Sequence, residues 1–250
     1  MLAEERFQKI LELVKEQKSV TVQELTERLH ISESTVRRDL TVLHDRGALR
    51  KVHGGATAVD MEYAAKDESV TVRQNLNQEE KTRIGKYAAS LVEPGDFVYL
   101  DAGTTTEAMV EYMTCREAVY VTNGILHAAK LAQKGCRVLV PGGEVKESTL
   151  ALVGAQMVRD LEKYHFTKGF FGTNGVDSVR GFTTPEPAEA LGKETALLRC
   201  RRAYVLADSS KFSQTAAVTF GRPEDAVILT TELKDESCRN LKNIVEVPEE

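Results

Sequence analysis

The strongest constraint on the fold is a series of seven short apolar runs between residues 97 and 247. The runs are FVYL, VYVT, RVLV, GFFG, AYVLA, AVILT and IVEV, and each but the last is followed by a turn and usually by a longer amphipathic stretch. Strands that are apolar throughout are buried on both faces, and strands that alternate with helices run mostly parallel. The pattern therefore predicts an α/β domain with a largely parallel sheet.

Polar loops follow five of these runs, at the positions where parallel sheets bind ligands. The loops are DAGTTT after FVYL, NG after VYVT, PGG after RVLV, TNGVD after GFFG and DSSKF after AYVLA. Each loop alone is ordinary, since a glycine after a strand is most often a turn, and Asn123 or Asp208 can simply cap a helix. The carboxyl ends of parallel strands share one edge of a sheet, so the loops together predict a polar pocket.

The residue types in this pocket favour a small phosphorylated polyol. Gly103 lets the backbone approach closely, while Thr104–Thr106 and Lys211 suit a phosphate. Asp101, Asn123 and Asp208 suit hydroxyl groups. The expected effector-binding residues are Asp101, Gly103, Thr104, Thr105, Thr106, Asn123, Gly142, Gly143, Asn174, Asp177, Glu186, Asp208 and Lys211.

Several other classes of protein are disfavoured. Neither a P-loop nor a GxGxxG motif is present, so a nucleotide is a poor fit. The four cysteines stand apart without a CxxC pair or a nearby His, which argues against a zinc site and a disulfide framework. No apolar run is long enough to span a bilayer, and the first residues do not resemble a signal peptide. We expect a cytoplasmic protein with no cofactor, no metal and no membrane partner.

Three amphipathic helices are predicted before residue 46. The first has apolar residues at helical spacing in RFQKILELV, and the second begins at a T-x-x-E capping box formed by Thr21 and Glu24. The third follows Ser32 and has an inward face of Val36, Leu40 and Leu43. Two short helices joined by a tight turn are typical of a helix-turn-helix.

The outward face of the third helix is small, hydroxylic and cationic. A helical wheel places Ser34, Arg38 and Thr41 opposite the apolar face, with Thr35 and Arg37 on its flanks. Arg can donate two hydrogen bonds to guanine, and no bulky side chain blocks the approach to a major groove. An exposed pair of arginines is usually only a solvated surface, so the prediction depends on the whole series of elements in order.

A basic hairpin is predicted after the third helix. Gly47 ends that helix, and ALRKVHGG then alternates apolar residues with Arg50, Lys51 and His53 before a Gly-Gly turn. These basic side chains are expected to contact DNA phosphates. The chain as a whole has a net charge of −5, whereas residues 32–55 hold five Arg or Lys and three acids. The local distribution of charge, and not the bulk charge, therefore indicates a nucleic-acid surface.

The sequence TVQELTERLHISESTVRRDLTVLHDRGALRKVHGGA resembles the winged helix-turn-helix of the DeoR family of bacterial transcriptional repressors. The segments STVRRDL and HGGA both fit at the separation expected for that family. The resemblance implies that Thr35, Arg37 and Arg38 contact operator DNA.

The larger part of the chain is similar to the effector-sensing domain of the same family, in DAGTTT, VTNG, PGGEV, GTNGVD, GFTTPEPAEA and LADSSKF. That domain resembles the fold of ribose-5-phosphate isomerase. GTNGVD followed by GFTTPEPAEAL most resembles fructose-operon repressors, and the inducer that this implies is fructose 1-phosphate.

An isomerase is the alternative, because Asp177, Glu186, Glu189 and Lys193 lie near one another and could supply an acid and a base. The isomerase motif has a Lys-Gly pair where this chain has Arg180 followed by glycine, and arginine is a poor proton carrier. An attached DNA-binding module also favours a sensor.

The predicted domains are a winged helix-turn-helix over residues 1–56, a linker over 57–75 and a sugar-phosphate-sensing α/β domain over 76–250. Asn77 with Glu80 predicts the capped start of that domain's first helix. The expected partners are operator double-stranded DNA, a phosphorylated sugar and further copies of the chain, in a dimer or tetramer.

Overall fold

The computed structural model describes residues 3–17, 19–45, 48–52, 54–57, 70–212, 214–233 and 238–249. The chain divides into two compact units, Met1–Glu62 and Tyr63–Glu250. Most of the expected linker lies outside the described residues, as do Gly47 and His53. The boundaries at residues 56 and 76 therefore stay a prediction.

Within the described residues, the first unit has three helices and three short strands. They are α1 (Ala3–Gln17), β1 (Ser19–Thr21), α2 (Val22–Leu29), α3 (Glu33–Asp45), β2 (Arg50–Val52) and β3 (Gly55–Thr57). The strands form an antiparallel sheet in the order β1-β3-β2. The three predicted helices and the hairpin are confirmed, whereas β1 was not predicted, because a three-residue strand is too short to show alternation.

The apolar faces of the three helices form one core. Ile10, Leu25, Val36 and Leu40 are almost completely buried in it. The capping box is present. Thr21 Oγ1 accepts a hydrogen bond from the amide of Glu24, and the amide of Thr21 donates to a carboxylate oxygen of Glu24 over 2.8 Å. These local signals fix where α2 starts, and hence where the following turn and α3 lie.

The second unit contains the predicted parallel sheet. Its strands in sheet order are β15 (Ile244–Glu246), β14 (Val227–Thr230), β12 (Cys200–Leu206), β9 (Phe166–Gly172), β4 (Phe97–Leu100), β5 (Val119–Thr122) and β6 (Arg137–Leu139). All neighbouring pairs are parallel. Each of the seven apolar runs supplies one strand, so the predicted fold class is confirmed.

Helices cover both faces of this sheet. The described helices of the second unit are α4 (Val70–Asn75), α5 (Gln78–Ser90), α6 (Thr104–Glu111), α7 (Ile125–Gln133), α8 (Ala155–Leu161) and α9 (Pro187–Leu198), with short 3₁₀ helices at Ser209–Lys211 and Pro223–Asp225. Val98 and Leu100 pack with α5, α6 and α7, whereas Tyr99 faces the core that contains α8 and α9. Helix α4 lies inside the expected linker.

Two smaller antiparallel sheets were not predicted. One is the hairpin of β7 (Glu144–Lys146) and β8 (Ala151–Val153). The other has the order β10-β11-β13 and is formed by β10 (Gly175–Asp177), β11 (Gly181–Thr184) and β13 (Val218–Gly221). Their strands have three or four residues, so no periodicity distinguishes them from turns.

Helix α5 packs closely on α6 at Gly85. A methyl group added at Gly85 would lie 2.7 Å from the backbone nitrogen of Met109 and 2.8 Å from the carbonyl carbon of Ala108. Since backbone atoms cannot rotate away, any larger residue must push the two helices apart. The glycine therefore sets the distance between the two helices.

We expect Gly85→Ala to lower the free energy of unfolding of the second unit by about 1–3 kcal/mol, because overpacking there outweighs the helix propensity of alanine. The chain has no tryptophan, and its seven tyrosines all follow residue 62, so tyrosine fluorescence during urea unfolding reports on this unit alone. Thr82→Ala, at an exposed position of the same helix, is the control. Equal midpoints for the two variants would show that the helices separate without cost.

Candidate nucleic-acid surface and candidate ligand cleft

The outward face of α3 is accessible. Ser34, Arg37 and Arg38 are exposed, and the Arg37 guanidinium lies 3.4 Å from a carboxylate oxygen of Glu33, one turn earlier in the helix. Both side chains of that pair are more than half exposed, so water and salt weaken the attraction. Arg38 makes no hydrogen bond or ion pair with any described residue, and its guanidinium is available to a ligand.

The hairpin is tied to α3 by a hydrogen bond. Lys51 donates from Nζ to Oγ1 of Thr41 over 2.7 Å, and the same hydroxyl donates to the carbonyl of Arg37 over 2.8 Å. Thr41 and Thr35 are partly buried, and Thr35 Oγ1 lies 2.9 Å from Oγ of Ser32. The hydroxyl of Thr41 thus already has protein partners. The side chain of Arg50 and the whole of His53 lie outside the part of the chain that the structure describes.

Asp39 holds α3 against α1, a role that the sequence did not suggest. Its carboxylate accepts hydrogen bonds from Nε of Arg6 over 2.7 Å and from a terminal nitrogen of Arg6 over 3.1 Å. Asp39 is only 3% exposed. In the sequence, the only indication of this role is that Asp39 directly precedes the inward-facing Leu40.

A polar cleft opens where β4, β9 and β12 end, with about 620 Å³ of space between its walls, open to solvent. Six of the expected residues line it: Gly103, Thr104, Thr105, Asn174, Asp208 and Lys211. Eight polar or charged residues that were not predicted as effector-binding also line it: Arg73, Asn77, Lys81, Thr149, Thr173, Glu189, Lys193 and Ser210. A smaller recess, lined partly by Gly103 and His127, adjoins it.

Three cations lie at one end of the cleft, and each comes from a different segment. Lys81 on α5 donates from Nζ to the carbonyl of Arg73 on α4, and Lys211 belongs to the 3₁₀ helix after β12. Burial lowers the pKa of Lys81 to about 8, although the negative charge of Asp208 opposes this change. The positive charges of Lys211 and Arg73 near the Lys81 ammonium lower its pKa further. We call Arg73, Lys81 and Lys211 the cationic end.

Asp208 supplies a carboxylate to the same end. It is fully buried, and its Oδ1 accepts hydrogen bonds from the Asn77 amide group over 2.9 Å and from the backbone and hydroxyl of Ser210. Its Oδ2 is buried and has no hydrogen-bond partner among the described residues. A buried acceptor without a donor is costly, so this atom suits a donor group on a ligand.

The capping role predicted for Asn77 and Glu80 is wrong. Asn77 has a left-handed backbone with φ of 52°, and its side chain makes no hydrogen bond to α5. Instead it donates to Asp208, while the Glu80 carboxylate accepts from the Ser209 amide over 2.8 Å and from the Thr231 hydroxyl over 2.6 Å. The two side chains thus connect α5 to the loops after β12 and β14, because long-range partners satisfy them better than the helix end.

A buried ion pair borders the same cleft. Lys193 on α9 donates to the carboxylate of Asp101 and, over 3.1 Å, to the carbonyl of Gly172. The amide of Gly172 also donates to Asp101 over 3.0 Å. Burial raises the pKa of Asp101, and Lys193 opposes that rise by stabilising the carboxylate. The pair connects α9 to the ends of β4 and β9.

Three residues expected to contact the ligand instead support the loop after β4 from below. Asp101 is bound to Lys193, and Asn123 accepts from the Ala102 amide over 2.8 Å through Oδ1. The Thr106 hydroxyl donates to the carbonyl of Asp101 over 2.6 Å and lies 3.2 Å from Nε2 of His127. None of the three is among the described residues lining the cleft. Their polar groups are already used by backbone and side-chain partners.

Four further expected residues are also not among the described lining residues. The Gly142 amide donates to Asp160 over 3.0 Å, and Gly143 also precedes the β7–β8 hairpin. Asp177 accepts from two amides of the turn between β10 and β11. Glu186 lies 3.7 Å from Lys146 and is 46% exposed. The small sheets redirect these loops before they reach the cleft.

Glu189, one turn after Glu186, lines the cleft instead. Its Oε1 accepts from Nζ of Lys146 over 3.0 Å and from the hydroxyl of Thr149 over 3.1 Å. The side chain is only 11% exposed. Sequence reasoning included Glu189 only in the isomerase alternative, where Asp177, Glu186, Glu189 and Lys193 were the candidates for catalysis.

We expect Lys193→Met to destabilise the second unit by about 3–5 kcal/mol, because it leaves the buried carboxylate of Asp101 without its partner. Adding Asp101→Asn should recover most of the lost stability, since the carboxylate charge is then removed as well. Urea unfolding followed by tyrosine fluorescence measures both variants. Lys163→Met removes an exposed lysine that pairs with Asp160 and should have little effect. A double variant no more stable than Lys193→Met would contradict the assignment.

No helix among the described residues has the length and apolar character needed to cross a membrane. Nor does that part of the chain contain a group of three or more His, Cys, Asp or Glu side chains suited to a metal ion.

Solved structures resemble the chain only weakly, over about half of its length. Ribose 5-phosphate isomerase A from Methanocaldococcus jannaschii is 16% identical, covers 54% of this chain and 55% of that chain, and has a TM-score of 0.39. The corresponding enzyme from Neisseria gonorrhoeae is 15% identical over 55% of each chain, with a TM-score of 0.41. Similarity at this level does not bear on function.

Sequence relatives are far closer. A Bacillus subtilis protein named uncharacterized HTH-type transcriptional regulator FruR is 41% identical and covers 99% of each chain. A lactose phosphotransferase system repressor from Streptococcus mutans is 35% identical over 94% of each chain. HTH-type transcriptional repressor GlcR of B. subtilis is 30% identical over 93% of this chain and 89% of that one.

Two family matches account for both units. Residues 6–62 match the DeoR-like helix-turn-helix domain, and residues 76–232 match the DeoR C terminal sensor domain. The relatives are named as regulators and repressors, so the chain is a DNA-binding regulator and not an isomerase. This chain belongs to the DeoR family of transcriptional regulators.

Proposed function

We propose that this chain represses an operon for sugar utilisation, and that a phosphorylated sugar, with fructose 1-phosphate as the first candidate, controls its affinity for operator DNA. The observation that carries the proposal is a cleft with a cationic end and an unpartnered buried acceptor, in a chain that also presents exposed arginines on α3. The cleft suits a phosphate that carries hydroxyls, and the exposed arginines suit a DNA groove.

The DNA contact is proposed to centre on α3. Arg38 is exposed without a described partner, and Arg37 is held only by an exposed pair with Glu33. Ser34 and Thr35 lie near the helix start, where recognition helices contact base edges. Lys51 extends the positive surface to the hairpin and contacts α3 through Thr41. Two such helices would read repeated half-sites, so we propose a homodimer or a homotetramer.

The effector is proposed to place its phosphate at the cationic end. Thr104 and Thr105 begin α6 in the lining of the cleft, and amides at a helix start bind anions well. Arg73, Lys81 and Lys211 supply positive charge from three segments. Oδ2 of Asp208 then accepts a hydrogen bond from a sugar hydroxyl. Inorganic phosphate has no such hydroxyl and would satisfy this acceptor less well.

The choice of fructose 1-phosphate is supported by the relatives. The B. subtilis FruR is 41% identical to this chain, whereas the lactose phosphotransferase system repressor is 35% identical. The segments GTNGVD and GFTTPEPAEAL, which resemble those of fructose-operon repressors, also support it. Fructose 6-phosphate and glucose 6-phosphate are tested together with fructose 1-phosphate.

Coupling between effector and DNA is proposed to begin at α4. Arg73 and Asn77 line the cleft, and they follow shortly after the segment that leaves the first unit. The carbonyl of Arg73 accepts from Lys81, so an anion that attracts the Lys81 ammonium competes with this hydrogen bond. An effector that binds one arrangement of α4 more tightly would change operator affinity through linkage.

Arg38→Ala should weaken operator binding by about 1–3 kcal/mol and relax the preference at one base position. DNA selected by the purified protein from a random pool supplies the operator, and gel-shift titrations at several salt concentrations measure affinity and the number of phosphate contacts. Arg159→Ala, an exposed arginine on α8, is the control of equal charge. Equal operator affinity in Arg38→Ala and Arg159→Ala would contradict the proposed surface.

Lys211→Ala and Thr105→Ala should bind operator normally but respond to fructose 1-phosphate only at roughly tenfold or higher concentration, because each loses a phosphate contact worth about 1.5–3 kcal/mol. The gel shift with added fructose 1-phosphate, fructose 6-phosphate and glucose 6-phosphate gives the response, and calorimetry gives the binding. Lys163→Ala, an exposed lysine that is not a cleft-lining residue, is the control. A normal response in both cleft variants would refute the site.

A further inference from the structure

We infer that the outer face of α9 binds the same face of a second copy of this chain, with the two helices side by side and parallel. The inference rests on the proposed function, because it gives a surface to the homo-oligomer proposed there. It adds which helix makes the contact, in which direction the two helices run and which charges pair between the copies.

The outer face of α9 carries the two most exposed leucines among the described residues. Leu198 is 78% exposed and Leu191 is 50% exposed. They are seven residues apart, which is two turns, so they lie on the same side of the helix. The opposite side packs into the core through Ala190, Ala196 and Leu197. A helix with apolar residues on two sides suits burial between two partners, and here the chain supplies only one.

Ala188 and Thr195 complete a seam with the two leucines. Positions 188, 191, 195 and 198 are separated by three, four and three residues, which is the spacing at which paired helices contact each other. Ala188 is exposed and small, so a second helix can approach it closely. The Thr195 hydroxyl donates to the carbonyl of Leu191 over 2.7 Å, so burying Thr195 leaves no donor unpaired. The seam therefore suits packing against another helix.

The charges beside the seam indicate which helix this is. Glu194 is exposed on one flank, and Arg199, the residue that ends α9, is half-buried on the other. Neither side chain makes an ion pair or a side-chain hydrogen bond with a described residue. They are five residues apart, or about 140° around the helix, so they do not face each other within one chain. Both charges are thus left for a partner.

A parallel second copy of α9 supplies the opposite charge at both flanks. In parallel paired helices, a residue that directly precedes a seam position lies near the residue five positions further along the other helix. Glu194 of each copy then faces the partner's Arg199. An antiparallel pair would instead bring Glu194 near the partner's Glu194, and like charges repel. A face that complements itself in this way is what a twofold interface between identical chains requires.

The inner face of the same helix lines the cleft. Glu189 and Lys193 both belong to α9, and both are lining residues. A single helix therefore separates the cleft from the proposed partner. A ligand that favours one position of α9 would also favour one state of assembly, which gives linkage between effector and oligomer a short structural route.

Exchanging the two charges tests the pairing. Analytical ultracentrifugation of the full chain without DNA or effector, from about 1 to about 100 µM, measures association. We expect Glu194→Arg and Arg199→Glu each to weaken association roughly tenfold or more, because like charges then face each other across the seam. The variant with both changes should associate almost as the wild type does, because opposite charges again meet between copies.

Two further variants test the seam itself. Leu198→Asp should abolish the association, because it places a charge among apolar residues. Leu191→Cys should form a disulfide-linked dimer under mild oxidation, since a parallel pair places residue 191 beside its counterpart. Arg159→Cys, at an exposed position of α8, is the control for cross-linking.

Arg116→Glu and Glu117→Arg are the controls for charge reversal. Both residues are exposed in the segment before β5, and neither belongs to the seam or its flanks. Association should be unchanged in both. Urea unfolding followed by tyrosine fluorescence checks that every variant is folded.

The outcomes separate the inference from the proposed function. A wild-type chain that stays monomeric over the whole range would overturn both the proposed homo-oligomer and this surface. If the wild type associates and the α9 variants associate as tightly as the controls, the homo-oligomer stands and the inference is overturned. It is also overturned if the double charge variant stays as weak as the single ones, or if Leu191→Cys forms no more cross-linked dimer than Arg159→Cys, because the helices are then not parallel.

Discussion

The candidate effector site depends on the parallel direction of all seven strands in the large sheet. Because every strand ends at the same edge, the loops after β4, β9 and β12 meet there. The buried pair of Lys193 and Asp101 then fixes α9 against two of these strand ends. The cleft is therefore a consequence of topology, reinforced by one ion pair.

The sequence was sufficient for the architecture. The seven strands came from apolar runs, and the helices of the first unit came from apolar spacing and one capping box, all of which are local signals. Strand β1 and the strands of the small sheets were missed, because segments of three or four residues carry no period. Those small sheets in turn explain why the loops holding Gly142 and Asp177 do not reach the cleft.

Residues that line the cleft were predicted only where a loop follows a strand directly. Thr105, Asp208 and Lys211 line the cleft as expected. Arg73 and Lys81 were missed because a cation in a polar helix or linker looks like any solvated residue until the fold brings it near Asp208. Asp101 and Asn123 were assigned to the ligand, but the backbone and Lys193 use their polar atoms, and sequence spacing cannot reveal such long-range partners.

The Lys81 ammonium has a pKa of about 8, so a sizeable fraction of empty clefts lacks that proton in mildly alkaline solution. An anion favours the charged form, and its arrival must draw a proton from the buffer. Binding would therefore be tighter below pH 8 and would weaken as the pH rises through that value. In this way the sensor would report the acidity of its surroundings together with the supply of its sugar.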